Sequence, residues 1–302
     1  MRLSRWGHSA YETEHDLAME REALASLVGL VGPYEDAELI VVSSKTRVCT
    51  DNVGPSVRWV ITTTSGFDHV DVAGLRARGI RTVRMPEARR DAVVETALAF
   101  LIMGMRRIGH LMEAARRGHW ARADLPKLGM GMLRGRTIGV VGCGVIGAQM
   151  VQVLRVLGAE VWAMDPVGVP GGVKTVRLEQ MLRGAEAISL HCDLNDATRM
   201  MFDQKTLQSA RKGMVIVNTA RGGLMDVASA IELLGEGHLG GLGIDVFPEE
   251  PYASMSAVTD TPGLWLTPHA AGFHTGLSAS IREGLVEIVG AILDAREPRH
   301  TI

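Results

Sequence analysis

The chain has 302 residues, 46% hydrophobic and 22% charged, with a formal charge of -2 from 32 basic and 34 acidic side chains. That length suits two domains better than a single core, and the near-neutral balance gives no electrostatic footprint for nucleic acid. Three separated cysteines, Cys49, Cys143 and Cys192, form no CxxC, so neither a disulfide framework nor a metal site is expected and a reducing cytoplasm fits.

The N-terminal MRLSRWGHSAYETEHD has no apolar core segment and does not read as a signal peptide. Candidate strands follow at Leu39–Val42, Val57–Thr62 and Ile80–Arg84, and Asp91–Ile108 reads as a long helix. The apolar stretch Ala92–Met105 within it is interrupted by Glu95 and is too short for a bilayer, so no membrane association is expected. Arg116–Gly135, rich in glycine and charge with Pro126 inside, reads as irregular linkage.

A second unit begins at strand Thr137–Val141, with a helix through about Leu157 and a strand at Glu160–Met164. Further strands are expected at Ala187–Leu190, Met214–Val217, Gly241–Asp245 and Leu264–Thr267, with helices at Gln204–Ala210, Val227–Leu234 and Thr275–Leu293. Strand and helix alternating at this spacing predict a parallel sheet covered on both faces. The order also predicts a discontinuous first domain, residues 1–95 and 272–302, around an inserted domain of residues 96–271. A cleft between the two is expected.

Between the first strand of that inserted unit and its helix stands Gly142-Cys143-Gly144-Val145-Ile146-Gly147. Gly142 permits the tight turn, Gly144 lets backbone approach a pyrophosphate, and Gly147 allows close packing of helix on sheet. The N–H groups at the helix start, Val145 and Ile146 included, would face the phosphates. Asp165 lies eighteen residues beyond Gly147, after a second apolar strand. Its carboxylate would accept from the adenosine ribose and repel the extra phosphate of NADP, so NAD is the expected cofactor.

Three polar groups follow expected strand ends: Asn218-Thr219-Ala220-Arg221-Gly222-Gly223, Asp245-Val246-Phe247-Pro248-Glu249-Glu250-Pro251 and Thr267-Pro268-His269. Ligands of open parallel sheets bind beyond the carboxyl ends of strands, so the three can converge. An arginine offers a planar fork to a carboxylate, a histidine can pass a hydroxyl proton, and a carboxylate beside it fixes the ring.

On these motifs, with TSGFDHVD (Thr64–Asp71) and Leu133-Arg134-Gly135 leading into VVGCGVIG, the chain resembles the D-isomer-specific 2-hydroxyacid dehydrogenases from about Arg47 onward. The resemblance implies an α/β fold of two Rossmann-like domains with doubly wound parallel sheets, a discontinuous substrate domain and an inserted NAD-binding domain. It implies Arg221, Glu250 and His269 as the catalytic three, Asp245 at the nicotinamide carboxamide, and His191 and Thr219 among the cofactor residues. The backbone at Ser65 and Gly66 resembles the family's cradle for the carboxylate of a small 2-hydroxy or 2-keto acid. A homodimer joined through the cofactor domains is also implied, with Arg106–Leu133 near the partner.

The chain departs from the family pattern at Asp193, where proline is usual, and at Arg89, where a small polar residue is common. Arg89, with Arg90 beside it, raises the expectation of a second anionic group on the substrate, since a desolvated guanidinium needs an oxyanion partner. Glu250 argues against formate oxidation, whose relatives carry glutamine there. Phosphite-oxidising relatives share the three catalytic residues but have lysine where this chain has Ser65. A dinucleotide-sensing corepressor or scaffold is the alternative outside enzymology.

Overall fold

Every pairing between named strands is parallel, so each sheet must be closed by crossover segments that cover its faces. The computed structural model describes residues 1–9, 11–259 and 261–302. They form two units, Met1–Arg89 with Phe273–Ile302, and Arg90–Gly272. The fold is the two-domain α/β architecture expected from the sequence.

The first unit runs β1 (Arg2–Trp6), α1 (Glu14–Ala25), β2 (Gly29–Val31), β3 (Leu39–Val42), β4 (Trp59–Thr62), α2 (Val72–Ala77) and β5 (Arg81–Arg84). Its strands lie in the order β2-β1-β3-β4-β5. The strand β1 and helix α1 were not expected. Two arginines and a serine mask β1, yet Arg5 is neutralised by Glu12 at 2.5 Å and Glu20 at 2.6 Å, and the Ser4 hydroxyl donates to Gly32 O at 2.7 Å. Burial is the largest influence on Glu20 and pushes its pKa up.

Next come α3 (Glu87–Met105) and α4 (Ile108–Arg116), separated where Arg107 adopts φ 53°. The single helix expected over Asp91–Ile108 thus starts a turn earlier, and a second helix follows its break. The second unit continues with β6 (Thr137–Val141), α5 (Val145–Val156), β7 (Glu160–Met164), β8 (Lys174–Thr175), α6 (Leu178–Gly184) and β9 (Ala187–Leu190). It is completed by α7 (Gln204–Gln208), β10 (Met214–Asn218), α8 (Val227–Gly235), β11 (Leu239–Ile244), α9 (Met255–Val258) and β12 (Leu264–Leu266). Its strand order is β12-β11-β10-β9-β6-β7-β8, so the direction of winding reverses between β6 and β9. No helix among the described residues is long and apolar enough to cross a membrane.

The chain then returns to the first unit as α10 (Leu277–Leu293). Leu277, Ile281, Leu285, Ile288 and Ile292 recur at helical spacing and cluster with Leu39, Val41, Trp59 and Ile61. The alternate strand residues Ile40, Val42 and Val60 pack on the opposite face with Val48, Val70 and Leu75. The return helix therefore covers one face of that unit's sheet and is part of its core. Ile281 is fully buried, and Ile281→Ala should cost about 2–5 kcal/mol through the lost transfer energy and the cavity left behind. Urea unfolding followed by a probe in the first unit would show a lower midpoint; an unchanged midpoint would contradict this packing.

Candidate active site

At the reversal between β6 and β9, the backbone is too tight for any residue but glycine. Gly142 has φ +89°, and a Cβ there would stand 2.5 Å from the Cys192 nitrogen. A Cβ on Gly147 would lie 1.9 Å from the Gly142 carbonyl oxygen, whereas one on Gly144 would meet nothing within 4 Å. Two glycines thus close the turn, and the third leaves open space in front of α5. That helix has Gly144 as its N-cap and no side chain capping it, so the first N–H groups of α5, including those of Val145 and Ile146, are without a capping acceptor.

Asp165 ends the adjacent strand. Its Oδ2 accepts from the Cys143 N–H at 2.6 Å and its Oδ1 from the Val167 N–H at 2.8 Å, which ties the glycine loop to β7 and still leaves acceptor capacity on the carboxylate. Thr219, 7% exposed at the end of β10, has a buried hydroxyl with no partner among the described residues. An open phosphate approach, an uncapped helix start, a carboxylate at the next strand end and an orphan hydroxyl fit a dinucleotide.

His191 follows β9, with its N–H donating to Val141 O at 2.7 Å and its Nε2 2.8 Å from the Ser189 hydroxyl. Part of its edge reaches the surface, but the ring lies deep enough that burial pushes its pKa down to about 4. It is a neutral imidazole at pH 7. Burial likewise pushes the Cys143 thiol up to about 11, with Asp165 adding to the effect, and the Cys192 thiol up to about 12. Neither cysteine is a thiolate nucleophile near neutrality.

The expected catalytic three all lie in the second unit. His269 Nδ1–H donates to Glu250 Oε2 at 2.7 Å, while Glu250 Oε1 accepts from the Phe247 N–H at 3.1 Å. Glu250, not Glu249, is the residue that meets the ring. His269 Nε2 has no hydrogen-bond partner among the described residues and its side chain is about half exposed. Arg221 stands at the end of β10, where the fully buried Asn218 accepts from the Ala220 N–H and donates to Arg221 O at 2.9 Å. A Cβ on Gly222 would be 2.0 Å from the Phe247 carbonyl carbon, so that glycine lets the arginine loop and the Glu250 loop touch.

Asp245 has a further role that the sequence did not disclose. It is 1% exposed, and its Oδ1 accepts from the Thr267 hydroxyl at 2.7 Å and the N–H groups of Ala270 at 2.7 Å and Ala271 at 3.1 Å. Its Oδ2 accepts from Ala271 at 3.0 Å. Most of the carboxylate therefore serves the turn that carries His269. Only Oδ2 keeps spare acceptor capacity for the carboxamide contact expected from the sequence.

Ser65, Gly66 and Arg89 belong to the first unit. The N–H groups of Ser65 and Gly66 donate to no acceptor among the described residues, and the Ser65 hydroxyl is buried without a partner. Arg89 is 8% exposed, with Nη1 donating to Thr63 O and Nη2 to the Tyr11 hydroxyl at 3.0 Å, so two of its five N–H groups are engaged by the protein. Arg90 pairs with Asp91 at 2.8 Å. Among the described residues, no group of three or more His, Cys, Asp or Glu side chains could hold a metal ion.

Residues 98–271 match the family model described as "D-isomer specific 2-hydroxyacid dehydrogenase, NAD binding domain". The chain is 30% identical over 299 residues to a glyoxylate reductase of Korarchaeum cryptofilum, covering 97% of this chain and 86% of that protein. It is 32% identical over 247 residues to a D-3-phosphoglycerate dehydrogenase of Mycobacterium tuberculosis, covering 80% of this chain but 46% of that protein. The chain thus spans about half the length of these mycobacterial relatives. In fold it is similar to a glyoxylate reductase from Paecilomyes thermophila, with a TM-score of 0.85, 24% identity, and coverage of 100% and 98% of the two chains.

The depressed pKa of His191 has a definite sign in stability. Between its ordinary value and about 4, the unfolded chain binds a proton that the folded one refuses. This contribution is present above about pH 6.5 and is lost as pH falls toward the folded value. His191→Gln should therefore flatten the decline in urea midpoint between about pH 6.5 and 4.5. Parallel declines in the two proteins would show that the ring is not held neutral.

Proposed function

The chain belongs to the D-isomer specific 2-hydroxyacid dehydrogenase family, and from that premise we propose that it is an NAD-dependent dehydrogenase interconverting a D-2-hydroxy acid and its 2-keto acid. The observation that carries this reading is the 2.7 Å bond from His269 Nδ1 to Glu250, which leaves Nε2 available for proton exchange. Relatives named as a glyoxylate reductase and a D-3-phosphoglycerate dehydrogenase support a small hydroxy or keto acid as the substrate.

NAD, when bound, accepts or supplies the hydride. The N–H groups of Gly144, Val145, Ile146 and Gly147, with Asp165, His191, Thr219 and Asp245, are the residues assigned to hold it. In the reducing direction, protonated His269 gives its Nε2 proton to the C2 oxygen. In oxidation, neutral Nε2 takes the hydroxyl proton. Glu250 keeps the ring in the tautomer and orientation that both directions use. Arg221 holds the acid and polarises its C2 oxygen, and the Ser65 and Gly66 N–H groups receive the carboxylate.

A second anionic group on the substrate has less support, since Thr63 and Tyr11 take two of the five N–H groups of Arg89. Ser65 in place of lysine counts against phosphite. The assembly we assign is a homodimer through residues 106–133. No residue of α4 is buried, and Met112, Trp120, Leu125 and Met132 of this stretch are exposed apolar side chains.

His269→Ala should lower kcat by about 10²–10⁴-fold while NADH binding persists. Wild-type turnover with 2-keto acids in that variant would reject the proton-transfer role. Asp165→Ala removes a ribose acceptor and a negative charge, so the preference for NADH over NADPH should narrow by about tenfold in kcat/KM. A ratio that does not move would remove Asp165 from cofactor selection.

A further inference from the structure

The loop after β4 holds four consecutive peptide carbonyls, and each has a different donor. Arg89 Nη1 donates to Thr63 O, the Met85 N–H to Thr64 O at 3.0 Å, Arg84 Nη1 to Ser65 O at 3.2 Å, and the Thr64 hydroxyl to Gly66 O at 2.7 Å. In a planar trans peptide the C=O and the next N–H point in opposite directions. Holding Ser65 O through Arg84 therefore aims the Gly66 N–H, holding Thr64 O through the Met85 N–H aims the Ser65 N–H, and holding Thr63 O through Arg89 fixes the peptide plane that precedes them. Those are the N–H groups that find no acceptor among the described residues, and the Ser65 hydroxyl beside them is buried without a partner. Successive N–H groups turned to one side make a concave anion site.

Two of the four holding groups are guanidiniums. Arg84 also lies with its Cζ 5.4 Å from the centroid of the Phe67 ring, so it grips the loop on both sides of Gly66. Arg89 is nine-tenths buried and makes no ion pair with a carboxylate among the described residues. A buried charge is ordinarily matched by an opposite one. Here its acceptors are neutral, the Thr63 carbonyl and the Tyr11 hydroxyl, so its positive field extends to the loop it supports.

We propose that Arg84 and Arg89 are positioning residues for the substrate carboxylate: Arg84 holds Ser65 O and so presets the Gly66 N–H, Arg89 anchors the loop at Thr63 O, the peptide from which the Ser65 plane is set, and neither touches the substrate. The inference rests on the acid-binding reading given above and extends it to residues that reading leaves outside the site. It differs from the distal-anion role expected for Arg89, and the two are separable by substrate charge. A reader of a second anion would favour dianionic substrates, whereas a holder of the cradle serves every 2-keto acid alike.

The test pairs kinetics with a direct view of the amides. Arg84→Ala and Arg89→Ala should each raise KM by about tenfold for a pyruvate-sized monoanion and for a length-matched dianion, with kcat within about threefold and KM for NADH unchanged. In amide-resolved NMR of the wild-type protein with NADH, oxamate should shift the Ser65 and Gly66 N–H signals, and the shift should weaken in both variants. A loss confined to the dianion, a loss in kcat instead of KM, or unchanged KM would overturn the proposal. So would Ser65 and Gly66 signals that ignore oxamate in the wild type, a readout that stands even where a variant fails to fold. Amide shifts without turnover of any 2-keto acid would reject the dehydrogenase reading while supporting the cradle.

Discussion

The carboxylate of Asp245 is the group on which the geometry of the candidate site depends. His269 has φ +55°, a left-handed conformation that costs a residue with a Cβ about 1–2 kcal/mol. The turn persists because Asp245 gathers the Thr267 hydroxyl and the N–H groups of Ala270 and Ala271, while its own carbonyl accepts from the His269 N–H at 2.7 Å. Charged acceptors make stronger hydrogen bonds than neutral ones, and burial at 1% exposure shields them from water. That combination offsets the strain and fixes the imidazole from its backbone side. Glu250 then needs only to set the ring's rotation.

The same economy governs the neighbouring loops. Asn218 at the end of β10 uses its amide to bond both Ala220 and Arg221, so the chain turns out of the strand in one defined direction. Gly222 lets that turn rest against the Phe247 backbone, and Phe247 stacks on Tyr252 with ring centroids 4.6 Å apart. An alanine methyl at Gly222 would have to displace backbone and not a flexible side chain. Arg221 and the Glu250–His269 pair are thus supported by one connected set of buried amides. The candidate groups are side chains mounted on fixed peptide planes.

How much of this was legible depended on whether a feature shows itself in local pattern. The strands β3, β6, β7 and β9 are short β-branched or apolar runs bounded by turns, and their limits could be read directly. The glycine loop was legible because Gly142 and Gly147 answer steric demands, while Gly144 leaves open space between them. β1 was hidden since Arg5 and Ser4 look like surface residues until Glu12, Glu20 and the Gly32 carbonyl are brought to them from elsewhere in the chain. α1 could have been found: Thr13 and Asp16 form a capping box ahead of a charged helical run. The partners of Arg89 are hidden for a related reason. Two adjacent arginines suggest an open binding face, whereas the Thr63 carbonyl and the Tyr11 hydroxyl that engage one of them lie 26 and 78 residues away.

Asp245, Arg84 and Arg89 show why charged residues near a site cannot be sorted into reagents by type alone. A carboxylate at a strand end can meet a ligand or can organise a neighbouring turn; Asp245 is committed mainly to the second task, at the turn of His269, by its donors. A guanidinium can read an oxyanion or can hold carbonyls. Distance from the substrate decides which property matters. A group that touches the reacting atoms contributes through charge and proton affinity, while a group one peptide plane behind contributes through direction. Loss of the first kind changes the chemical step; loss of the second widens the range of orientations that the bound acid can adopt, and so weakens its binding before it alters the chemistry. In the loop at residues 63–66, where all four carbonyls have donors, direction has been settled before any ligand arrives, and the ordering entropy that binding would otherwise cost has already been spent in folding.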